Sequence, residues 1–219
     1  MLEVKNLKCE YRNGQNIQTL FKDVNFTINQ GDFVIITGPS GSGKTSLLNI
    51  ISGLQKPTIG NVYINGIDLY KLSDNELSEF RLLKSGFIYQ DFMLIDELNA
   101  YDNIILPMEM ANLKNKEYVS NLINKLKIFD LVKKEPSKLS GGQKQKVCIA
   151  RSLVNKPLIL FCDEPTGSLD HISTKEVMEI LSQLNKEEQI TIVMVTHELE
   201  LLSYANKIIK YDNGQIICE

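Results

Sequence analysis

The stretch FVIITGPSGSGKTSLLNI, Phe33 to Ile50, changes character twice within eighteen residues. FVIIT is a continuous apolar run, as a strand buried on both faces requires. GPSGSGKT, Gly38 to Thr45, then fits the pattern G-x-x-x-x-G-K-[ST] in full. From Lys44 the chain reads as a helix, with Gly53 as its C-terminal stop. Strand, glycine-rich turn and helix in this order make a phosphate-binding loop. The glycines let main-chain N–H groups wrap an anion, and the helix N-terminus adds its free N–H groups and its dipole. The expected phosphate contacts are Gly38, Pro39, Ser40, Gly41, Ser42, Gly43, Lys44, Thr45 and Ser46. Lys44 is placed to bridge the β- and γ-phosphates, and the Thr45 hydroxyl to ligate Mg²⁺. The competing reading, an ordinary Gly/Ser loop, has no reason to fall between a buried strand and a helix.

On either side of this stretch the chain alternates strands and helices. Leu2, Val4, Leu7, Cys9 and Tyr11 alternate, Asn13-Gly14 reads as a hairpin turn, and Phe26 and Ile28 alternate again. NVYINGIDL is two short strands around Asn65-Gly66. Ser73 with Glu76 forms a capping box, and Leu72 with Leu77 a hydrophobic staple, so a helix starts there. GFIYQ, Gly86 to Gln90, is a short strand, and Val119, Leu122, Ile123 and Leu126 fall at helical spacing. The helix after Ser140 ends before Pro157, and LILFCDE, TIVMVTHE and KIIKYDNGQIIC supply further strands, the last a hairpin around Asn213-Gly214. Apolar strands separated by helices predict a largely parallel sheet. The expected fold is α/β: a P-loop NTPase core with a mostly parallel sheet, an N-terminal antiparallel β subdomain and an inserted helical subdomain. The expected division is residues 1–71 and 157–219 for the core and about 72–156 for the helical part, within one domain.

Three further positions fall at strand ends, where ligands bind in open α/β sheets. Asp163 ends LILFCD and suits Mg²⁺; Glu164, one residue on, suits a general base for an attacking water. His197 ends IVMVTH and could contact a γ-phosphate, although a lone strand-end histidine is more often structural. Gln90 ends GFIYQ, and its carbonyl could ligate Mg²⁺ or a bridging water; its alternative is a surface amide. Tyr11 reads as a platform for adenine or as a core aromatic. His171, in a polar loop, reads as solvent-exposed. KLSGGQKQKVCIARSLV, Lys138 to Val154, is a second glycine-containing helix start, about a hundred residues after the first.

GPSGSGKT, Gln90, LSGGQ, LILFCDE, SLD and His197 together resemble, in order and spacing, the ATP-binding subunits of ABC transporters, over essentially the whole chain. LSGGQ is the most specific element, since other P-loop NTPases lack it. The resemblance implies ATP and Mg²⁺ as cofactors, with Thr45, Gln90 and Asp163 at the metal and Glu164, His197 and Lys44 as catalytic residues. It implies a head-to-tail pairing with a second copy, in which Ser140, Gly141, Gly142 and Gln143 hold ATP bound to the partner copy and Asp170 of SLD crosses the interface. GPSGSGKTSLLNIISGLQKPTIG, INGIDLYKLSDNELSEFR and DEPTGSLD further resemble the branch serving lipoprotein release, macrolide export and antimicrobial-peptide resistance (LolD/MacB-like). Its permeases are FtsX/MacB-like, with few spans and a large external domain. Two departures stand out. Lys146 occupies a place usually held by Arg, and AYDNIILPMEM, Ala100 to Met110, is apolar where the permease usually docks, although most of it reads as subdomain core.

The bulk composition agrees. A chain of 219 residues with net charge −3 gives no global basic bias, so nucleic acid is not an expected partner. Cys9, Cys148, Cys162 and Cys218 are too far apart for a CxxC pair and read as buried reduced thiols. MLEVKNLKCEY has no apolar signal segment, and the longest apolar runs are too short to span a bilayer. The expected location is the cytoplasmic face of the cell membrane, reached through a permease. A regulatory ATPase controlling cell-wall hydrolysis or drug sensing shares the same machinery and remains an alternative. A chromosome-organising ATPase does not fit, because the roughly fifty residues between Gln90 and LSGGQ leave no room for a long coiled coil.

Overall fold

A computed structural model describes residues 1–14, 16–212 and 215–218. The turn expected at Asn213-Gly214 lies outside these residues, as does any statement about the Cys218 side chain. Two sheets organise the chain. The first is antiparallel: β1 (Leu2–Asn13), β2 (Asn16–Ile28), β4 (Ile59–Ile64) and β5 (Ile67–Asp68), in the order β2-β1-β4-β5. The second holds β3 (Phe33–Thr37), β6 (Ser85–Tyr89), β7 (Ile159–Asp163), β8 (Thr191–Val195), β9 (Lys207–Asp212) and β10 (Gln215–Cys218), in the order β10-β9-β3-β8-β7-β6. Every pair from β9 to β6 is parallel, and only β10 runs antiparallel, to β9.

The continuous apolar runs follow from burial on both faces. In β3, Phe33 and Ile35 point into one core and Val34 and Ile36 into the other, as the two-residue period of a strand demands. In β7, Leu160 and Cys162 share the first core and Ile159 and Phe161 the second; in β8, Ile192 and Met194 oppose Val193 and Val195. The second core lies between the two sheets and encloses α1 (Lys44–Ile51) through Leu47, Leu48, Ile50 and Ile51. The first is covered by α3 (Ala100–Met110), α4 (Lys116–Lys125), α5 (Gly141–Leu153) and α6 (His171–Glu188). Each fully buried aliphatic side chain contributes about 1.5–3 kcal/mol, so the central strands anchor both layers.

Local signals set the element ends. Ser73 caps α2 (Asp74–Lys84) with the complete capping box to Glu76, and Leu72 and Leu77 pack in the same core. Asn65 and Gly66 both have positive φ, 49° and 80°, as a two-residue hairpin turn between β4 and β5 requires. Of AYDNIILPMEM, Ala100, Asn103, Ile104 and Met108 are buried, while Met110 is exposed. Within the range 72–156, β6 pairs with β7 at the edge of the main sheet, and Leu77 of α2 packs into the core between the sheets. Strand pairing across seventy residues outweighs the helical composition around it. Among the described residues no helix is long and apolar enough to cross a membrane.

Candidate functional site

The parallel strands bring their carboxyl ends to one edge. Ile36 of β3 and Asp163 of β7 both lie level with Val195 of β8, and Asp163 also pairs with Tyr89 of β6. The residues just past these ends are the glycine loop, His197, Glu164 and Gln90, so the register alone collects them.

The glycine loop is held closely against the sheet. A Cβ at Gly38 would stand 2.3 Å from the Tyr211 carbonyl oxygen, so any side chain there would displace β9. Lys44 is only 5% exposed, and its ammonium donates to the carbonyl oxygens of Gly38 at 3.0 Å and Pro39 at 2.7 Å. Burial lowers its pKa, while the charges of Glu164 and Asp163 pull it back up. Ser42 Oγ is buried with no hydrogen-bond partner among the described residues. A buried cation, an unpaired buried hydroxyl and the start of α1 therefore converge on one loop. Such a place suits an anion with several acceptor oxygens, such as a triphosphate.

Thr45 donates its hydroxyl to Asp163 Oδ1 at 3.0 Å. The Asp163 pKa is raised, first by burial and then by neighbouring Glu164; the Thr45 hydrogen bond and Lys44 act in the opposite direction. Glu164 has φ 44°, a left-handed conformation that a non-glycine residue adopts at a cost of about 1–3 kcal/mol. Its main-chain N–H donates to Val195 O at 3.0 Å, and its Oε1 lies 3.2 Å from His197 Nδ1. The His197 ring is exposed, and Glu164, His197, Gly38, Pro39 and Ser40 border a cleft of about 570 Å³. Gln90 is exposed, with its carboxamide against Gly167, where an added Cβ would meet it at 3.0 Å. Tyr11 is 45% exposed, not buried in the core, and its phenol oxygen is 3.4 Å from Ser46 Oγ.

The second glycine-containing helix start forms a separate group. Ser140 caps α5, receiving the Gln143 N–H, while the Gln143 side chain accepts from Ser140 N at 3.1 Å. Gly141 rests against Ser168 and Leu169, just before α6, and Gly142 against its first turn: a Cβ at Gly142 would come within 2.8 Å of Ser173 Oγ. Asp170 caps α6, accepting from the N–H groups of Ile172 and Ser173 and from the Ser173 hydroxyl at 2.7 Å. Those hydrogen bonds, led by that from Ser173 N–H, lower its pKa. No hydrogen bond or ion pair among the described residues joins Ser140, Gly141, Gly142, Gln143 or Asp170 to the glycine loop. Lys146, on the same helix, pairs with Glu176 of α6 at 2.7 Å, a contact that an ammonium makes as a point charge without Arg's planar fork. His171 is exposed, as expected, but it is the first residue of α6, capped by Asp170, and not part of a loop.

Sequence reading missed two ties. Thr166, 2% exposed, donates to Glu198 Oε1 at 2.7 Å and so joins the loop after Glu164 to the loop after His197. Gln55 faces the Tyr11 phenol. Both join positions far apart in the chain, and no spacing rule signals them. Cys9, Cys148 and Cys162 are free and buried, and burial pushes the Cys148 thiol up to about 12.

A family model described as ABC transporter matches residues 21–167. The chain belongs to the ABC transporter family. An uncharacterised ABC transporter ATP-binding protein of Methanocaldococcus jannaschii is 47% identical over 99% of this chain and 98% of its own length. The bacitracin export ATP-binding protein BceA of Halalkalibacterium halodurans is 38% identical over 99% of this chain and 87% of its own. The lipoprotein-releasing system ATP-binding protein LolD of Buchnera aphidicola is 36% identical over 96% and 94%. A dimeric ATP-binding cassette in a post-hydrolysis state, bound to ADP and phosphate, superposes with TM-score 0.90 at 39% identity, over 100% of this chain and 98% of that one. The chain is thus an ATP-binding, ATP-hydrolysing member of the family, and its relatives place it in the LolD/MacB-like branch.

Proposed function

We propose that two copies of this chain close head to tail around two ATP molecules and drive a permease of the FtsX/MacB-like kind. The observation that carries this reading is the separation of the two anion-ready surfaces. The glycine loop and the start of α5 both offer main-chain N–H groups, yet neither reaches the other within one chain. In this reading a second copy supplies the missing half to each, and the dimeric state of the similar cassette bound to ADP and phosphate supports it.

In this reading the loop from Gly38 to Ser46 and buried Lys44 hold the phosphates, and Tyr11 supports the base beside Ser46. Ser140, Gly141, Gly142 and Gln143 of the other copy close over the γ-phosphate, with Asp170 at the junction. Thr45, Asp163 and Gln90 would hold Mg²⁺, which when bound neutralises phosphate charge. Their donor set is oxygen only, with a single carboxylate, and no group of three or more His, Cys, Asp or Glu side chains that could hold a metal exists among the described residues. An ion that keeps waters and phosphate oxygens in its shell fits such a sparse set. Glu164 accepts a proton from the attacking water. Its left-handed backbone, tied to Val195 O, aims the carboxylate toward His197, which orients the same water.

The permease is placed in a groove of about 450 Å³ beside β6, walled by Leu54, Leu82, Phe87, Met93, Pro107 and Met110. Met93 and Met110 are 60% and 65% exposed, and Ser85 Oγ and Asn155 Oδ1 are left without partners there. In this reading the chain sits on the inner face of the membrane, held there by the permease. The test is a tagged pull-down from detergent-solubilised native membranes, with partners identified by mass spectrometry. A few-span permease with a large external domain supports the reading. A many-span channel-like permease overturns the branch partner, and the absence of any membrane protein overturns the transporter role.

A further inference from the structure

The Tyr11 phenol lies against the start of α1, 3.4 Å from Ser46 Oγ, and it is not held by Ser46 alone. The carboxamide of Gln55 faces the same phenol with both its heteroatoms: the phenol donates to Oε1 at 3.2 Å, and Nε2 lies 3.1 Å from the phenol oxygen. Gln55 is itself fixed. Its main-chain N–H donates to Asn49 O at 3.1 Å, and its carbonyl accepts the Tyr70 hydroxyl at 2.7 Å. The Tyr70 hydroxyl also reaches Ile50 O, at the end of α1. Burial raises the Tyr70 pKa, which favours the protonated, donating hydroxyl. A chain of contacts therefore runs from the last turn of α1 through Gln55 to the Tyr11 ring and back to Ser46 in the first turn of α1.

We propose that Gln55 is a positioning residue for nucleotide recognition: it fixes the Tyr11 ring beside the phosphate loop and so favours a base-bearing triphosphate over a bare one. The proposal rests on the reading of Tyr11 as the platform for adenine. A half-exposed tyrosine without this tie rotates about two side-chain bonds and must be immobilised when a base stacks on it. A tyrosine already held gives up less on binding, which corresponds to about a three- to ten-fold difference in affinity. In this reading the ring meets the base rather than the phosphates, so the effect is confined to ligands that carry a base.

Equilibrium binding of ATP and of inorganic tripolyphosphate to the purified chain tests this, using Gln55→Met, Tyr11→Phe, Tyr11→Ala and the double variant Q55M/Y11F. Gln55→Met is expected to weaken ATP about three- to ten-fold and to leave tripolyphosphate unchanged. The double variant is expected to bind ATP no more weakly than Tyr11→Phe, since both changes cut the same tie. Equal weakening of ATP and tripolyphosphate by Gln55→Met overturns the proposal, because Gln55 then merely supports the loop. Unchanged ATP binding by Gln55→Met, with loss in Tyr11→Ala, overturns the role of Gln55 and keeps the platform. Unchanged ATP binding by Tyr11→Ala overturns the platform itself.

Discussion

Asp163→Asn removes one half-buried negative charge while keeping the side-chain volume and the oxygen that accepts the Thr45 hydroxyl at 3.0 Å. In the parent, burial and the adjacent Glu164 raise the Asp163 pKa above its ordinary 3.8. A carboxylate whose folded pKa lies above its unfolded one opposes folding once it ionises. Below the unfolded value both states are protonated and there is no penalty. The penalty grows as the pH rises through the unfolded value and is complete above the folded one. The parent therefore carries more of it at neutral pH than in acid. Lys44 loses one favourable neighbour in the variant but keeps Glu164 and the two loop carbonyls. Relief at a functional site of this kind is about 1 kcal/mol, which raises Tm by about 2–4 °C in a chain of this size. Scanning calorimetry of the nucleotide-free protein at several pH values between about 4 and 8 reads it. The gain should be largest near neutrality and shrink toward acid, while ATP turnover is lost throughout. A variant less stable than the parent at neutral pH, or one with the same gain in acid, would refute the reasoning.

Two further outcomes follow from the geometry. Thr166→Val should lower kcat about ten-fold or more with little change in KM, because it frees the His197 loop from the Glu164 loop without touching the phosphates; Thr166→Ser should restore it, and a steady-state comparison of the three proteins decides. Cys148, buried and with its pKa at about 12, should resist thiol-specific reagents at neutral pH in the folded protein and react only in denaturant; rapid labelling of native Cys148, located by peptide mapping, would contradict its placement.

The parts of the fold that depend on short range were open to sequence reading. The run from Phe33 to Thr37, the loop from Gly38 to Thr45 and the box from Ser73 to Glu76 each state their geometry within a few residues. The strand ends carrying Asp163 and His197 were also legible, because apolar runs stop there. What was hidden depends on partners distant in the chain. Nothing near Gly86 says that β6 pairs with β7, since the pairing is decided by the apolar face of Ile159–Asp163 seventy residues later. The ties of Gln55 to Tyr11 and of Thr166 to Glu198 exist only after the sheets close. The capping of α6 by Asp170 was locally readable, an Asp just before a helix, but the resemblance drew Asp170 toward an intermolecular role instead. The two uses share one residue, and the cap alone accounts for the observed hydrogen bonds.

The central claim is that ATP joins two copies and that Glu164 ends the union by hydrolysis. Sedimentation of the Glu164→Gln variant with and without ATP and Mg²⁺ tests it most directly. Removal of the base should cut turnover by about 10²–10⁴-fold, so the account predicts a stable dimer in the presence of ATP and Mg²⁺ and a monomer in their absence. A Glu164→Gln protein that binds ATP yet stays monomeric, or that hydrolyses it at the parent rate, would contradict it.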